Sequence, residues 1–317
     1  MSILLTGGSG FIGIPLAKEL VRKGYEVVIF DAQPNPNAFG DLVDRVKIVR
    51  GDVTVFSEVL DAVNANKVGD IFHLAALLSS ACEERPLLGF KVNVEGTLNL
   101  LEASRIAGVK KFIFPSSIAT YGEGVTLPVN EDTRQEPGSF YGATKVFCEL
   151  WGLQYFRKFG LQFRSVRLPS IIGAGRADGG ASVYASLMIE KPAKGEEYTV
   201  YVDEETSIPL LYIKDATMLL VSLYEASEME SRILNVGGIT PTAGEIAQKV
   251  NEYVAGTKVK FEPNPAVVAM VRKWPQADSS KIKRELGWSV SYDLDLLVRD
   301  FIEEVSFRKN LAGDSNS

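Results

Sequence analysis

Thr6-Gly7-Gly8-Ser9-Gly10-Phe11-Ile12-Gly13 follows a short apolar run, Ser2 to Thr6, and leads into Phe11 to Lys23, whose apolar spacing is helical. Glycines at 7, 10 and 13 permit a sharp turn, close approach of a ligand to the backbone, and tight packing of a helix on a strand. The helix N-terminus adds unpaired N–H groups and a positive dipole end, which suit a pyrophosphate. Glycine spacing alone is a weak signal, so the context carries the reading. Asp31 ends the next apolar run, 18 residues past Gly13. There it can accept from both hydroxyls of an adenosine ribose and repel a 2′-phosphate. No arginine follows within several positions, so the loop predicts NAD over NADP. Gly51-Asp52-Val53 closes a third apolar run at the same edge. Asp52 reads either as a partner of the adenine amino group or as a helix N-cap.

Outward from this loop, short apolar runs alternate with helical patterns, which predicts an α/β fold, a doubly wound parallel sheet of Rossmann type. Strands are expected at Ser2 to Thr6, Glu26 to Phe30, Val46 to Arg50, Asp70 to Leu74, Lys110 to Phe114 and Phe163 to Arg167. Long helices are expected over Pro86 to Ala107 and Tyr141 to Phe159. After Arg167 the rhythm breaks. Pro209 to Ile213 and Arg232 to Val236 read as further strands, with one more near Lys258 to Glu262. The expected division is a dinucleotide-binding domain over 1–168, with 209–238 returning to it. A smaller, mostly helical, partly interleaved cap covers 169–208 and 239–311, and 312–317 form a frayed polar tail.

Composition narrows the chemistry. The chain has 317 residues, 46% hydrophobic and 23% charged, with a net charge of -6. A negative balance without a basic cluster argues against nucleic acid. No apolar run approaches the ~20 residues that span a bilayer. Two cysteines, Cys82 and Cys148, cannot build a disulfide framework, and the opening residues lack a basic signal region. The expectation is a soluble cytoplasmic protein. The single histidine, His73, lies in the apolar run Ile71 to Ala76 and reads as a hydrogen-bonded structural residue. With one histidine and two scattered cysteines, no metal-ligand spacing exists.

Tyr141-Gly142-Ala143-Thr144-Lys145 puts a phenol and an ammonium at i and i+4 on one helix face. A free tyrosine ionises near pH 10, and bringing it to about 7 takes roughly 4 kcal/mol. A lysine one turn away, with the positive charge of an oxidised nicotinamide, is an arrangement that supplies this. Ser116-Ser117 end the fifth strand, at the sheet edge where ligands bind. Ser117 is placed to hold a reacting oxygen in line with Tyr141.

TGGSGFIG, Asp31, HLAA, NVEGT, PSSIATYG and YGATK together resemble the extended short-chain dehydrogenase/reductase family, also called the NAD-dependent epimerase/dehydratase family. The resemblance covers nearly the whole chain. It implies bound NAD and hydride transfer by Ser117, Tyr141 and Lys145. It also implies that Gly7, Gly10, Phe11, Ile12, Gly13, Asp31, Asp52, Val53, Leu74, Ala75, Ala76, Asn93, Pro169 and Ile171 line the cofactor, with Asn93 supporting the helix behind the site.

Within the family, Ile118 and Ala119 stand where dehydratases carry an acidic pair, which argues against dehydration. HLAALLSSACEERP, RLPSII, IPLLYIKDA and Trp274-Pro275 resemble the short-chain type of L-threonine dehydrogenase. That branch implies substrate contacts by Ser79, Ser117, Tyr141 and a closing loop around Gly180 to Tyr184. The reaction would be oxidation of a secondary alcohol on a small polar substrate, an L-threonine-like amino alcohol or a hydroxy acid. The branch has Thr-Thr-Asp-Tyr where this chain reads Ala181-Ser182-Val183-Tyr184, which removes a carboxylate suited to an ammonium. That loop with Glu190-Lys191-Pro192 is similar to dehydrogenases of sugar acids such as erythronate. Arg176 or Arg134 would pair a substrate carboxylate, and Ser182 lies in the same loop; Arg176 reads equally as a solvated loop residue. Glu83 either faces the site or starts a solvated helix, and Trp274 is either core or a substrate wall. A nucleotide-sugar 4-epimerase or reductase acting on a UDP- or GDP-sugar is the alternative. Family members dimerise through the two long helices, and Leu98, Leu101, Leu150 and Phe156 either form such a homodimer interface or pack on the sheet.

Overall fold

In the computed structural model the described residues are 1–122, 124–176, 180–256 and 259–314, with side chains described through Arg308. Strands β1 (Ser2–Thr6), β2 (Val27–Asp31), β3 (Val46–Arg50), β4 (Val68–His73), β5 (Lys111–Ser117) and β6 (Gln162–Leu168) follow the expected runs closely. Helices α1 (Gly13–Arg22), α2 (Phe56–Ala65), α3 (Ser79–Glu84), α4 (Pro86–Gly89), α5 (Gly96–Ala107) and α6 (Phe140–Phe159) connect them. Beyond β6 come β7 (Ser170–Ile172), α7 (Val183–Ala193), β8 (Tyr198–Val200), β9 (Leu210–Tyr212), α8 (Ile213–Glu225), β10 (Ile233–Asn235), α9 (Ala243–Tyr253), β11 (Val259–Phe261), α10 (Pro265–Val271), α11 (Ser280–Leu286) and α12 (Leu294–Asp314).

Seven strands form one parallel sheet in the order β10-β6-β5-β4-β1-β2-β3. The order reverses beside β1, so the C-terminal ends of β1 and β4 open a crevice where a dinucleotide binds in such sheets. Strands covered on both faces read as continuous apolar runs, and β1 is buried along its whole length.

Differences from the sequence expectation have local causes. The helix expected over Pro86 to Ala107 is interrupted by a wider π turn, Phe90–Glu95. Such turns free backbone groups for other bonds: the Asn93 carbonyl accepts from the Thr97 hydroxyl at 2.5 Å and the Cys148 thiol at 3.2 Å. The strand expected at Pro209 to Ile213 pairs with β7 rather than the main sheet, whereas β10 is its seventh strand. Lys258 lies outside the described residues, as do Ser315 to Ser317; α12 runs to Asp314, into the stretch expected to fray. Leu101 is 0% exposed, and Phe156 packs on the same core between the sheet and α2, α5 and α6. Those two side chains pack inward, while Leu150 is 53% exposed.

On the opposite face one core runs from Ile3, Leu5 and Leu16 through Tyr184, Met188 and Ile189 to Leu297 and Phe301. The helices after β6 therefore share their hydrophobic interior with the sheet.

Gly152 on α6 sits directly over Phe163 of β6; a Cβ there would lie 2.2 Å from the ring. Because Phe163 is fully buried, it has no room to yield. Gly152→Ala is expected to cost about 1–3 kcal/mol of folding stability, read from the urea midpoint; an unchanged midpoint would show that helix and strand separate freely.

Candidate active site

The glycine loop is shaped by contacts only glycine permits. Gly7 has φ +63°, and a Cβ on it would meet the Ala75 Cα and N at 2.8 Å. A Cβ on Gly13 would lie 2.5 Å from the Gly7 carbonyl oxygen, so α1 rests on the loop itself. No side chain caps α1 and its first turn carries no acidic residue. Asp31 accepts the Ser9 N–H on Oδ2 and the Gln33 N–H on Oδ1, each at 3.0 Å. A carboxylate has about four lone-pair positions, so it keeps acceptor capacity for a ribose. These features form a cradle that fits NAD. Phe11 and Ile12 are half-buried against the core. Asp52 is exposed, and its Oδ1 accepts the Thr54 N–H at 2.8 Å. It shapes the turn before α2, whose N-cap is Val55. The Val53 side chain is packed into the core.

Behind Leu74, Ala75 and Ala76 lies a buried polar chain. The Ala75 N–H donates to Thr6 Oγ1 at 3.3 Å, and Thr6 Oγ1 lies 2.7 Å from His73 Nδ1. His73 Nε2 lies 2.9 Å from Thr97 Oγ1. Thr97 gives its own proton to the Asn93 carbonyl, so it accepts from His73 Nε2–H, and Nδ1 accepts the Thr6 hydroxyl. Burial holds the His73 imidazolium down to a pKa of about 3, with the Lys145 charge adding to the effect. His73 is thus a neutral structural residue, as read from the sequence. Asn93 continues the chain: its side chain binds the Leu77 N–H at 2.7 Å and the Leu77 carbonyl at 3.0 Å. It also donates to Thr144 Oγ1 at 3.2 Å, and that hydroxyl donates to the Tyr141 carbonyl at 2.7 Å.

At the end of β5, Ser117 caps the following turn by accepting the Ala119 N–H at 3.1 Å, and it is half-buried; Ser116 is buried. The first turn of α6 abuts this turn: a Cβ on Gly142 would lie 2.1 Å from the Ala119 carbonyl oxygen. That approach sets Tyr141 beside the Ser117 turn. Ser139 caps α6 through the Gly142 N–H at 3.0 Å, and Glu83 takes the Phe140 N–H at 2.8 Å. Glu83 therefore anchors the start of α6. The buried Lys145 Nζ donates to the Pro115 carbonyl at 2.8 Å, lies 5.6 Å from the Tyr141 ring centroid and 4.4 Å from that of Phe114. Burial lowers the Lys145 pKa to about 8.

On the far side, Arg176 Nη1 donates to the Ile171 carbonyl at 2.6 Å and Nη2 to Ser182 Oγ at 3.0 Å. Ser182 precedes α7, while Tyr184 turns inward, edge-on to Tyr201 at 5.7 Å. Pro169 is buried, Ile171 belongs to the core, Ser79 is exposed at the start of α3, and Trp274 is half-buried against the core. Arg134 pairs with Glu136 at 2.9 Å with its side chain 86% exposed, which places it on the surface. The sequence reading overlooked the buried pair Glu149–Arg167. Its signals were a carboxylate at i+4 from Lys145 and an arginine inside an apolar strand. Among the described residues no group of side chains could hold a metal ion.

Residues 3–237 match the family described as NAD dependent epimerase/dehydratase. The chain is 30% identical over 306 residues to the mitochondrial L-threonine 3-dehydrogenase of Bos taurus, covering 93% of this chain and 80% of that one. It is 31% identical over 327 residues to the D-erythronate dehydrogenase of Cupriavidus necator, covering 98% and 100%. The solved holo form of an L-threonine dehydrogenase from Cupriavidus necator superposes with a TM-score of 0.89 at 29% identity, covering 96% and 100%.

The neutral state of His73 makes folding pH-dependent. The unfolded imidazole takes a proton below its ordinary 6.5, while the folded one resists until about 3. The associated stability is full above 6.5 and is lost as pH falls through that window. His73→Gln is expected to be less stable at pH 7 but to lose less between pH 7 and 4.5, as read from urea midpoints. Equal losses in both proteins would mean that another group controls acid unfolding.

Proposed function

This chain belongs to the NAD dependent epimerase/dehydratase family, and from that premise we propose that it oxidises a secondary alcohol on a short carboxylate-bearing substrate. Its relatives support NAD-dependent alcohol oxidation. The observation that carries the assignment of roles is the buried Lys145 ammonium, one turn from Tyr141, on a helix that abuts the Ser117 turn. Ser117 orients the substrate hydroxyl. Tyr141 accepts its proton, and the Lys145 charge favours the phenolate that can do so. Bound NAD would supply the hydride acceptor for the carbon bearing that hydroxyl. The glycine loop and Asp31 would hold the dinucleotide, and Asn93 fixes both the segment at Leu77 and the helix at Thr144.

Threonine and erythronate each carry a carboxylate close to a secondary hydroxyl. We assign Ser79, Arg176 with Ser182, and Trp274 to the substrate walls. With Val183 where the threonine branch has an aspartate, a hydroxy acid ranks ahead of an amino alcohol. Both cysteines are buried free thiols, which fits a reducing compartment such as the cytoplasm; no helix among the described residues is long and apolar enough to cross a membrane.

We further assign the outer face of α4, the start of the π turn and α6 to a second copy of the chain. Leu87 is 88%, Phe90 49%, Leu150 53% and Trp151 42% exposed there, an apolar area that a symmetric homodimer would cover. Leu150→Glu is expected to give monomers by sedimentation; an unchanged mass with wild-type dimers would move the interface elsewhere, and a monomeric wild type would remove it.

NADH formation with D-erythronate, L-threonine, L-serine and simple 3-hydroxy acids tests the reaction. Turnover of a hydroxy acid is expected, with Tyr141→Phe reducing it ~10²–10⁴-fold while NAD still binds. Silence on every alcohol, together with interconversion of UDP-glucose and UDP-galactose, would make the protein an epimerase.

A further inference from the structure

Glu149 lies one turn beyond Lys145 on α6 and is 1% exposed; its partner Arg167, on β6, is 5% exposed. Arg167 Nε donates to Glu149 Oε1 at 3.0 Å and Nη2 to Oε2 at 2.8 Å. The remaining Nη1 donates to the Tyr121 hydroxyl at 2.6 Å, and Gln135 donates to Glu149 Oε2 at 3.0 Å. Tyr121 is four residues past Ser117. Because it accepts from Arg167, its own proton goes to the Asn130 carbonyl at 2.8 Å or to Asn235 Oδ1 at 2.9 Å. The loop it reaches exchanges backbone bonds with the far side: the Val129 N–H donates to the Gln276 carbonyl and the Asp278 N–H to that of Val129, each at 2.8 Å.

An apolar replacement of a buried ion pair is often as stable or more so, so stability alone is a poor account of charges placed here. What they join is specific: the helix carrying Tyr141 and Lys145, the turn carrying Ser117, and the segment that follows Trp274-Pro275. We propose that Glu149, Arg167 and Tyr121 are positioning residues, which lock these three pieces together and keep a carboxylate one turn from the Lys145 ammonium. The proposal rests on the catalytic reading of Ser117, Tyr141 and Lys145.

The electrostatics agree with the geometry. Lys145 is pulled down by burial and held up by Cys148 and Glu149 on its own helix and by Cys82 of α3. Tyr141 lies one turn earlier, His73 of β4 is neutral, and Arg167 of β6 is taken up by Glu149. Glu149 is the carboxylate of this set. Removing its charge takes away the carboxylate that favours the protonated ammonium, so Lys145 loses its proton at lower pH. Tyr141 then loses the cation that favours its phenolate, and the acid limb of the rate moves to higher pH. The two midpoints shift in opposite directions.

The test uses the full-length protein labelled with 13C at lysine Cε, with the Lys145 resonance assigned by its loss in Lys145→Arg. Glu149→Gln is expected to lower the Lys145 midpoint by about one pH unit, to raise the acid-limb midpoint of kcat/KM, and to cut kcat at least about tenfold. NAD affinity should stay within about twofold. Tyr121→Phe is expected to lower kcat without moving the Lys145 midpoint. If Glu149→Gln does not fold, Glu149→Gln/Arg167→Met, which strands no charge, is read instead; there the Lys145 midpoint should also fall. Unchanged Lys145 titration and kcat in a folded variant would overturn the proposal. A wild type that oxidises no alcohol would sink the functional reading alone, because the resonance still reports whether Glu149 governs Lys145.

Discussion

The candidate site depends on one buried chain of hydrogen bonds, from the backbone at Ala75 to the first turn of α6. It passes from Ala75 through Thr6, His73, Thr97 and Asn93 to Thr144 and the Tyr141 carbonyl. It starts at the paired C-terminal ends of β1 and β4, where the strand order switches, and runs out to the π turn, α5 and α6. A buried polar group without a partner costs more than a formed bond returns, so each link holds its neighbours in a single arrangement. The π turn at Phe90–Glu95 belongs to this chain, since it delivers the Asn93 carbonyl and side chain to it.

Close approach of backbone is the second constraint. Gly7 against Ala75, Gly13 against the Gly7 carbonyl and Gly142 against the Ala119 carbonyl each leave no room for a Cβ. The first two set the loop before α1, and the third sets the first turn of α6 against the turn after Ser117. Lys145 gains its chemical character from the same packing. Its ammonium is buried over the Phe114 ring with a backbone carbonyl as partner, so burial weakens its hold on the proton while the neighbouring carboxylate strengthens it.

The helices that follow β6 bury their apolar faces in the core that also covers α1 and β1, so they share one interior with the sheet. Arg176 is held between the end of β7 and the start of α7, which fixes the distance between two walls of the proposed substrate site. The Glu149–Arg167–Tyr121 network leads through the Asn130 carbonyl and Val129 to the segment that follows Trp274-Pro275.

Read alone, the amino-acid sequence determined the parallel sheet, the tight glycine turn ahead of α1, the place of Asp31 at the end of β2, and the position of Tyr141 and Lys145 on one turn of a helix. These follow from local rules: glycine spacing, apolar runs of strand length, and the i, i+4 geometry of a helix face. It also marked His73 as structural, because a lone histidine in an apolar run has little access to water. Only the tertiary structure decided that Leu101 and Phe156 pack inward, that Arg134 is a surface residue, that Glu83 anchors α6, and that Glu149 pairs with Arg167. Those outcomes turn on which groups meet across distant segments. A side chain's periodicity records which face it lies on, but not what the rest of the chain brings to that face.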